Sequence, residues 1–404
     1  MKFDFETTVN SKSIGNMKSM MATEAGCPEK AVVLAGAEMD FATAPVITRS
    51  LSEFVKRGIY GFTLTDEAYL SAICRWMKAV RAVDVKADEI VPTLGTIFAL
   101  GTAIRAFTQP GDGVIVQHPS YYRYDVNIRN NGRVVVSNPL IESNGIYSLD
   151  FHHLETLMGM PENKLLVLCN PHNPTAKVFS HEDLTRIAQL AKRYEVVVFS
   201  DEIFAEITFH GHTAEAYVAV DPEFGITSTS LGKAFNLTGV NHANLIIKNK
   251  TLSNRYCEQR ARDHFGSVDP FFYNALIAGY SDEGLEWLEA LKSHVWSNYR
   301  RICSFFEDRL PMLSVSPLEG SFVIWVDFRG LGLSDAELRH FLLNEAQIVA
   351  DFGTDYNPGG NGFIRLNAAT TSARIEAFLS NLEAACAVRF DSTSPKASAQ
   401  GGTI

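Results

Sequence analysis

The chain has 404 residues, 46% of them hydrophobic and 20% charged, with a formal net charge of −10. That is enough to bury a large core in two domains, or in one large α/β domain and a smaller one. An acidic average leaves no electrostatic footprint for nucleic acid or an anionic membrane surface, and no apolar run approaches the roughly 20 residues that span a bilayer.

The opening Met1-Lys2-Phe3-Asp4-Phe5-Glu6 lacks the apolar core of a secretory leader. Cys27, Cys74, Cys169, Cys257, Cys303 and Cys386 lie far apart, with no C-x-x-C pair. In a chain this long that pattern reads as reduced thiols, so a cytoplasmic protein is expected.

In chain order, Gly95-Thr96 stands at a predicted helix start, and residues 113–117 (GVIVQ) form the first clear strand candidate. Residues 165–169 (LLVLC), 195–200 (EVVVFS) and 244–247 (NLII) follow. Each is short, rich in β-branched or large apolar residues and bounded by turn formers. Runs that are apolar at every position fit strands covered on both faces, as in a parallel sheet. Between them, residues 180–194 repeat Leu184, Ile187, Leu190 and Ala191 at helical spacing. Ser180 is the predicted cap of that helix, with Asp183 serving its first turn. Strand, helix, strand in repetition predicts an open α/β sheet, whose ligands bind beyond the carboxyl ends of the strands.

Three such ends carry candidate chemistry. Residues 165–169 run into Asn170-Pro171-His172-Asn173-Pro174-Thr175, where two X-Pro units stiffen the turn around Asn173. The next strand runs into Asp201-Glu202, a helix cap or a buried functional charge. The third end is Ser228-Thr229-Ser230-Leu231-Gly232-Lys233, where small hydroxylated residues before a lysine suit a phosphate. Residues 391–404 are polar and small and are expected to form a disordered tail.

Gly95-Thr96, Tyr121, Asn173, Asp201, Ser230 with Lys233, and Arg365 form an ordered set. The set resembles fold-type I pyridoxal-phosphate (PLP) enzymes of the aminotransferase class I/II family, over essentially residues 1 to 390. The resemblance implies an α/β fold. A large domain with a mostly parallel seven-stranded sheet would span 48–290, and a smaller α+β domain would combine 1–47 with 291–390. It also implies PLP as cofactor, a small-molecule amino-acid substrate and a homodimer. By the same resemblance, Lys233 carries the cofactor and moves the Cα proton. Asp201 pairs with the pyridine nitrogen, Asn173 donates to the ring phenolate, and Tyr121 stacks on the ring. Gly95, Thr96 and Ser230 hold the phosphate, and Arg365 clamps the substrate carboxylate.

Several stretches are similar to the MalY/PatB-type branch, the cystathionine β-lyase-like C–S lyases. They are residues 3–7 with 16–18, Glu38-Met39-Asp40-Phe41, residues 170–175, Phe235-Asn236-Leu237-Thr238-Gly239 and Gly320-Ser321-Phe322-Val323-Ile324-Trp325. Asn241 stands where many aminotransferases place a phosphate-binding arginine. Three positions depart from the branch: Phe62 replaces a tyrosine that serves the partner's cofactor phosphate, Phe204 replaces a histidine, and Ala35-Gly36 replaces a tryptophan. The expected reaction is β-elimination from a cysteine S-conjugate, giving thiol, pyruvate and ammonia. The alternatives are a decarboxylating or oxidative deaminase of S-conjugated amino acids in natural-product biosynthesis, an aminotransferase, and a catalytically dead PLP-sensing homologue.

Overall fold

The computed structural model describes residues 3–9, 15–28 and 30–390; the expected tail at 391–404 lies outside the described residues. Seven strands form the main sheet: β1 (Ile90–Thr93), β2 (Gly113–Val116), β3 (Val134–Ser137), β4 (Asn163–Cys169), β5 (Val197–Asp201), β6 (Gly225–Thr229) and β7 (Ala243–Ile246). Their spatial order is β1-β7-β6-β5-β4-β2-β3. From β6 to β3 every pair is parallel.

β7 is the exception, antiparallel to both β6 and β1. The apolar run at 244–247 was expected to belong to a parallel set, and that expectation fails for this strand. Apolarity at every position reports cover on both faces and carries no information on direction. Direction is set by the connection, and between β6 and β7 the only helix is the short Leu231–Ala234, which turns the chain back instead of carrying it across the sheet.

The helix before β5 shows how local sequence fixes the layers. Ser180 Oγ accepts from the Asp183 N–H, and Asp183 Oδ2 accepts from the Ser180 N–H, a reciprocal cap on His181–Tyr194. Leu184, Ile187, Leu190 and Ala191 are its buried face. The helix stops at Glu195, whose φ of 54° turns the chain into Val196 and the wholly buried β5. The strand runs one residue further than expected, so Asp201 is its last member.

A second, antiparallel sheet contains β8 (Ser314–Val315), β9 (Val323–Asp327), β10 (Asp351–Phe352) and β11 (Phe363–Asn367), in the order β8-β9-β11-β10. The 28-residue helix Asp282–Arg309 runs unbroken through residue 290, linking the two sheets. The N-terminal segment joins the second sheet's part of the chain, because Val32–Val33 pairs in parallel with Ile348–Val349. One core cluster holds Phe5, Phe41, Trp287, Ile324 and Leu366 together. Among the described residues no helix is long and apolar enough to cross a membrane. All six cysteines are free thiols.

Candidate active site

Strand register assembles the site. Cys169 lies opposite Asp201, and Asp201 opposite Ser228, so three strand ends meet in one row. This is the carboxyl edge of the parallel strands, where sheets of this kind bind ligands.

Asp201 and Glu202 are adjacent carboxylates with different fates. Glu202 accepts from Arg81 Nη2 at 2.6 Å, Ser200 Oγ at 2.8 Å, the Tyr217 N–H at 2.8 Å and Thr227 Oγ1 at 3.0 Å. It is saturated and structural. Asp201 Oδ2 accepts from Tyr124 Oη at 2.6 Å, while Oδ1 takes only the Ile203 N–H at 3.3 Å. Burial raises its pKa to about 6, against the opposing effects of Tyr124, the Ile203 N–H and Lys233. Asp201 is therefore a buried anion with room for one more donor.

Lys233 lies on the short helix Leu231–Ala234 and is partly buried. Its Nζ donates to the Ala37 carbonyl at 2.8 Å and stands 5.7 Å from the centre of the Phe204 ring. Burial, aided by the Arg365 charge, lowers its pKa to about 8, while Asp201, Glu38 and Asp351 pull it back up. About a tenth of such an amine is uncharged at pH 7.

Arg365, on β11, is buried and fixed on three sides. Nη1 donates to Asn173 Oδ1 at 2.9 Å, Nε and Nη2 donate to Asp351 Oδ2 at 3.1 and 2.6 Å, and the guanidinium lies 5.2 Å from the Tyr356 ring centre. The bond to Asn173 orients that amide, whose Nδ2 makes no hydrogen bond among the described residues. The Tyr121 ring packs edge-on against Tyr124 at 5.7 Å, within electrostatic reach of Arg365 and Asp201.

The remaining group sits at the start of the helix Thr96–Phe107. Gly95 caps it at φ 92°, a conformation that suits glycine. Thr96 Oγ1 and Ser228 Oγ lie 3.0 Å apart, and Ser230 Oγ donates to the His242 carbonyl at 2.8 Å. The first N–H groups of a 12-residue helix thus stand beside the Thr96 and Ser228 hydroxyls, and Ser230 lies three residues before Lys233. The single Ser230 hydroxyl hydrogen is committed to His242, so binding an anion there requires it to turn. Phe62 stands apart: it is 98% exposed and contributes nothing to its own chain's site. Phe204 is buried against Phe322, and Asn241 is exposed.

Three residues here were not singled out in the sequence. Tyr124 had a signal, since it follows Tyr121 by one helical turn. Ser228 was read only as part of a hydroxylated run. Asp351 gave no signal, because it reaches Arg365 through the antiparallel pairing of β10 with β11.

PLP is an aldehyde, a basic ring nitrogen, a phenolate and a phosphate, and each finds a matching group. Lys233 offers an amine of lowered basicity, Asp201 a buried carboxylate with an open acceptor, and Asn173 a free amide donor. The hydroxyl-rich helix start offers the anion cradle. The residues fit the cofactor.

The family model for aminotransferase class I and II matches residues 29–382. Cystathionine beta-lyase PatB of Bacillus subtilis is 35% identical over 352 residues, covering 86% of this chain and 91% of the relative. Protein MalY of Escherichia coli is 29% identical, covering 84% and 87%. Among solved structures, cystalysin from Treponema denticola, which contains pyridoxal 5'-phosphate, superposes with a TM-score of 0.91 at 31% identity. That match covers 95% of this chain and 99% of cystalysin.

Proposed function

The chain belongs to the aminotransferase class I and II family, and on that premise we propose that it is a PLP-dependent carbon–sulfur lyase acting on a cysteine S-conjugate. The observation that carries the reading is the meeting of Asp201 and Asn173, at the carboxyl edge of the parallel strands, with Lys233 from its short helix and Arg365 from β11. The likeness to PatB and MalY supports the lyase branch.

PLP, when bound, supplies an aldehyde that takes up the substrate amine and a ring that draws electron density from Cα. The rest is the work of the chain. Arg365 would present its free N–H groups to the substrate α-carboxylate and so fix the orientation of Cα. Asp201 would hold positive charge at the ring nitrogen, helped by the Tyr124 hydroxyl. Asn173, turned by Arg365, would donate to the phenolate side. Thr96, Ser230 and the helix start would hold the phosphate. Lys233, as a neutral amine, takes the Cα proton. The Cβ–S bond then breaks, the thiolate leaves with the electron pair, and a Cα–Cβ double bond remains. Water converts the released enamine acid to pyruvate and ammonia.

A fixed Arg365 favours this outcome over decarboxylation, since a clamp held on three sides stabilises the carboxylate it would have to release. The exposed Phe62, beside exposed Ile59 and Leu64, supports a homodimer in which this loop meets the partner. The test is to incubate the purified holoenzyme with S-alkyl-L-cysteines and to read thiol, pyruvate, carbon dioxide and oxygen in parallel. Equal thiol and pyruvate are expected; carbon dioxide without thiol overturns the reading.

A further inference from the structure

Asp351 meets the clamp with one oxygen only. Oδ2 accepts from Arg365 Nε, Arg365 Nη2 and, at 2.9 Å, the Gly36 N–H. Oδ1 accepts no hydrogen bond among the described residues. The Asp351 side chain keeps 17% exposure while that of Arg365 beneath it keeps 5%, so the open part of the pair is carboxylate and not guanidinium.

The charges around it deepen the asymmetry. Arg365 and Asp351 cancel as a pair, Glu38 acts on Lys233 alongside Asp351, and Asp355 faces Asp351 and Arg365. Against these stand Arg339, which acts on Asp355 while stacking on the Phe352 ring at 3.8 Å, and Arg123, which acts on Tyr121. Lys233 is neutral when it works. One substrate carboxylate already fills the open edge of Arg365, and a second placed beside that pair would meet the Asp351 oxygen that accepts no hydrogen bond among the described residues.

We infer that Asp351 is a specificity-determining residue that selects cysteine S-conjugates whose sulfur substituent carries a cation or a hydrogen-bond donor, and rejects those carrying a second carboxylate. The inference rests on the lyase reading of the same site and adds the class of the substituent. A carboxylate a few ångströms from a substituent charge in a partly shielded pocket separates cation from anion by tenfold or more, as an order-of-magnitude expectation.

Calorimetry on the PLP-loaded Lys233→Ala protein, which binds without turnover, tests it with three ligands. They are S-(2-aminoethyl)-L-cysteine, S-propyl-L-cysteine and S-carboxymethyl-L-cysteine. Affinity should fall in that order, by about tenfold or more from first to last. Adding Asp351→Asn should compress the range to about threefold, and Asp351→Glu should keep the order. Equal or tighter binding of the anion overturns the inference, and so does a preference that survives Asp351→Asn. If Asp351→Asn does not fold, the order in the parent protein and in Asp351→Glu decides. Absence of thiol release by the wild-type holoenzyme, with the binding order intact, would sink the lyase reading and leave the selectivity standing.

Discussion

The phenol of Tyr124 donates to Asp201 Oδ2 at 2.6 Å, from one helical turn beyond Tyr121. A buried carboxylate with one strong donor and one open oxygen is costly in the empty protein and useful in the loaded one.

That cost is measurable. Asp201 has its pKa raised to about 6 by burial, against about 4 in an unfolded chain. Between these values the native state binds more protons, so stability falls as pH rises through the window. Asp201→Asn should therefore stabilise the cofactor-free protein above pH 6, by roughly 2–3 kcal/mol at most. The gain should vanish near pH 4. Unfolding curves of the cofactor-free proteins at the two pH values check this, and a gain that is equal at both refutes it.

Lys233 gives a second pH signature. Uptake of PLP needs the uncharged amine, so its rate should rise with pH and level off near 8, where an ordinary lysine would still be climbing. Removing the nearby cation in Arg365→Gln should move the inflection upward. Stopped-flow absorbance of cofactor binding reads both, and Lys233→Ala should bind PLP without the covalent step and lose turnover.

Arg365→Lys should be severe despite conserving charge. An ammonium cannot reproduce the fork held by Asp351 and Asn173. A loss of roughly 2–4 kcal/mol in kcat/KM, about 30- to 1000-fold, is expected. A change below fivefold would place the substrate carboxylate elsewhere.

Phe62 tests the dimer. Sedimentation should show a homodimer, and Phe62→Tyr should tighten PLP by up to about 1 kcal/mol, one net hydrogen bond. An active monomer, or no change in cofactor affinity, would remove this loop from the partner's site.

Lys233, Asp201, Asn173 and Arg365, which the structure brings together, stood out in the sequence because their residue types in that order match one chemistry. An amine, a carboxylate and a guanidinium in a fixed order stand out even when each is individually weak. Ser180 and Asp183 were legible for a related reason, since a helix cap is a local contact written within four residues. Relations between distant segments were hidden. The direction of β7 depends on how the chain turns after β6, which its own apolar run cannot encode. Asp351 contacts Arg365 only because β10 and β11 pair, and Ser230 spends its hydrogen on a carbonyl twelve residues away. Residue type alone does not separate Glu202 from Asp201; the four donors closing around Glu202 do.

The bond between Asn173 and Arg365 joins positions 192 residues apart. During synthesis Lys233, Asp201, Thr96 and Ser230 all emerge more than a hundred residues before Arg365. Any N-terminal fragment ending before β11 thus contains the residues proposed to seat the cofactor and lacks the guanidinium proposed to hold the substrate. The order of emergence is built into the chain: the proposed grip on the amino acid is the last part of the site to be synthesised.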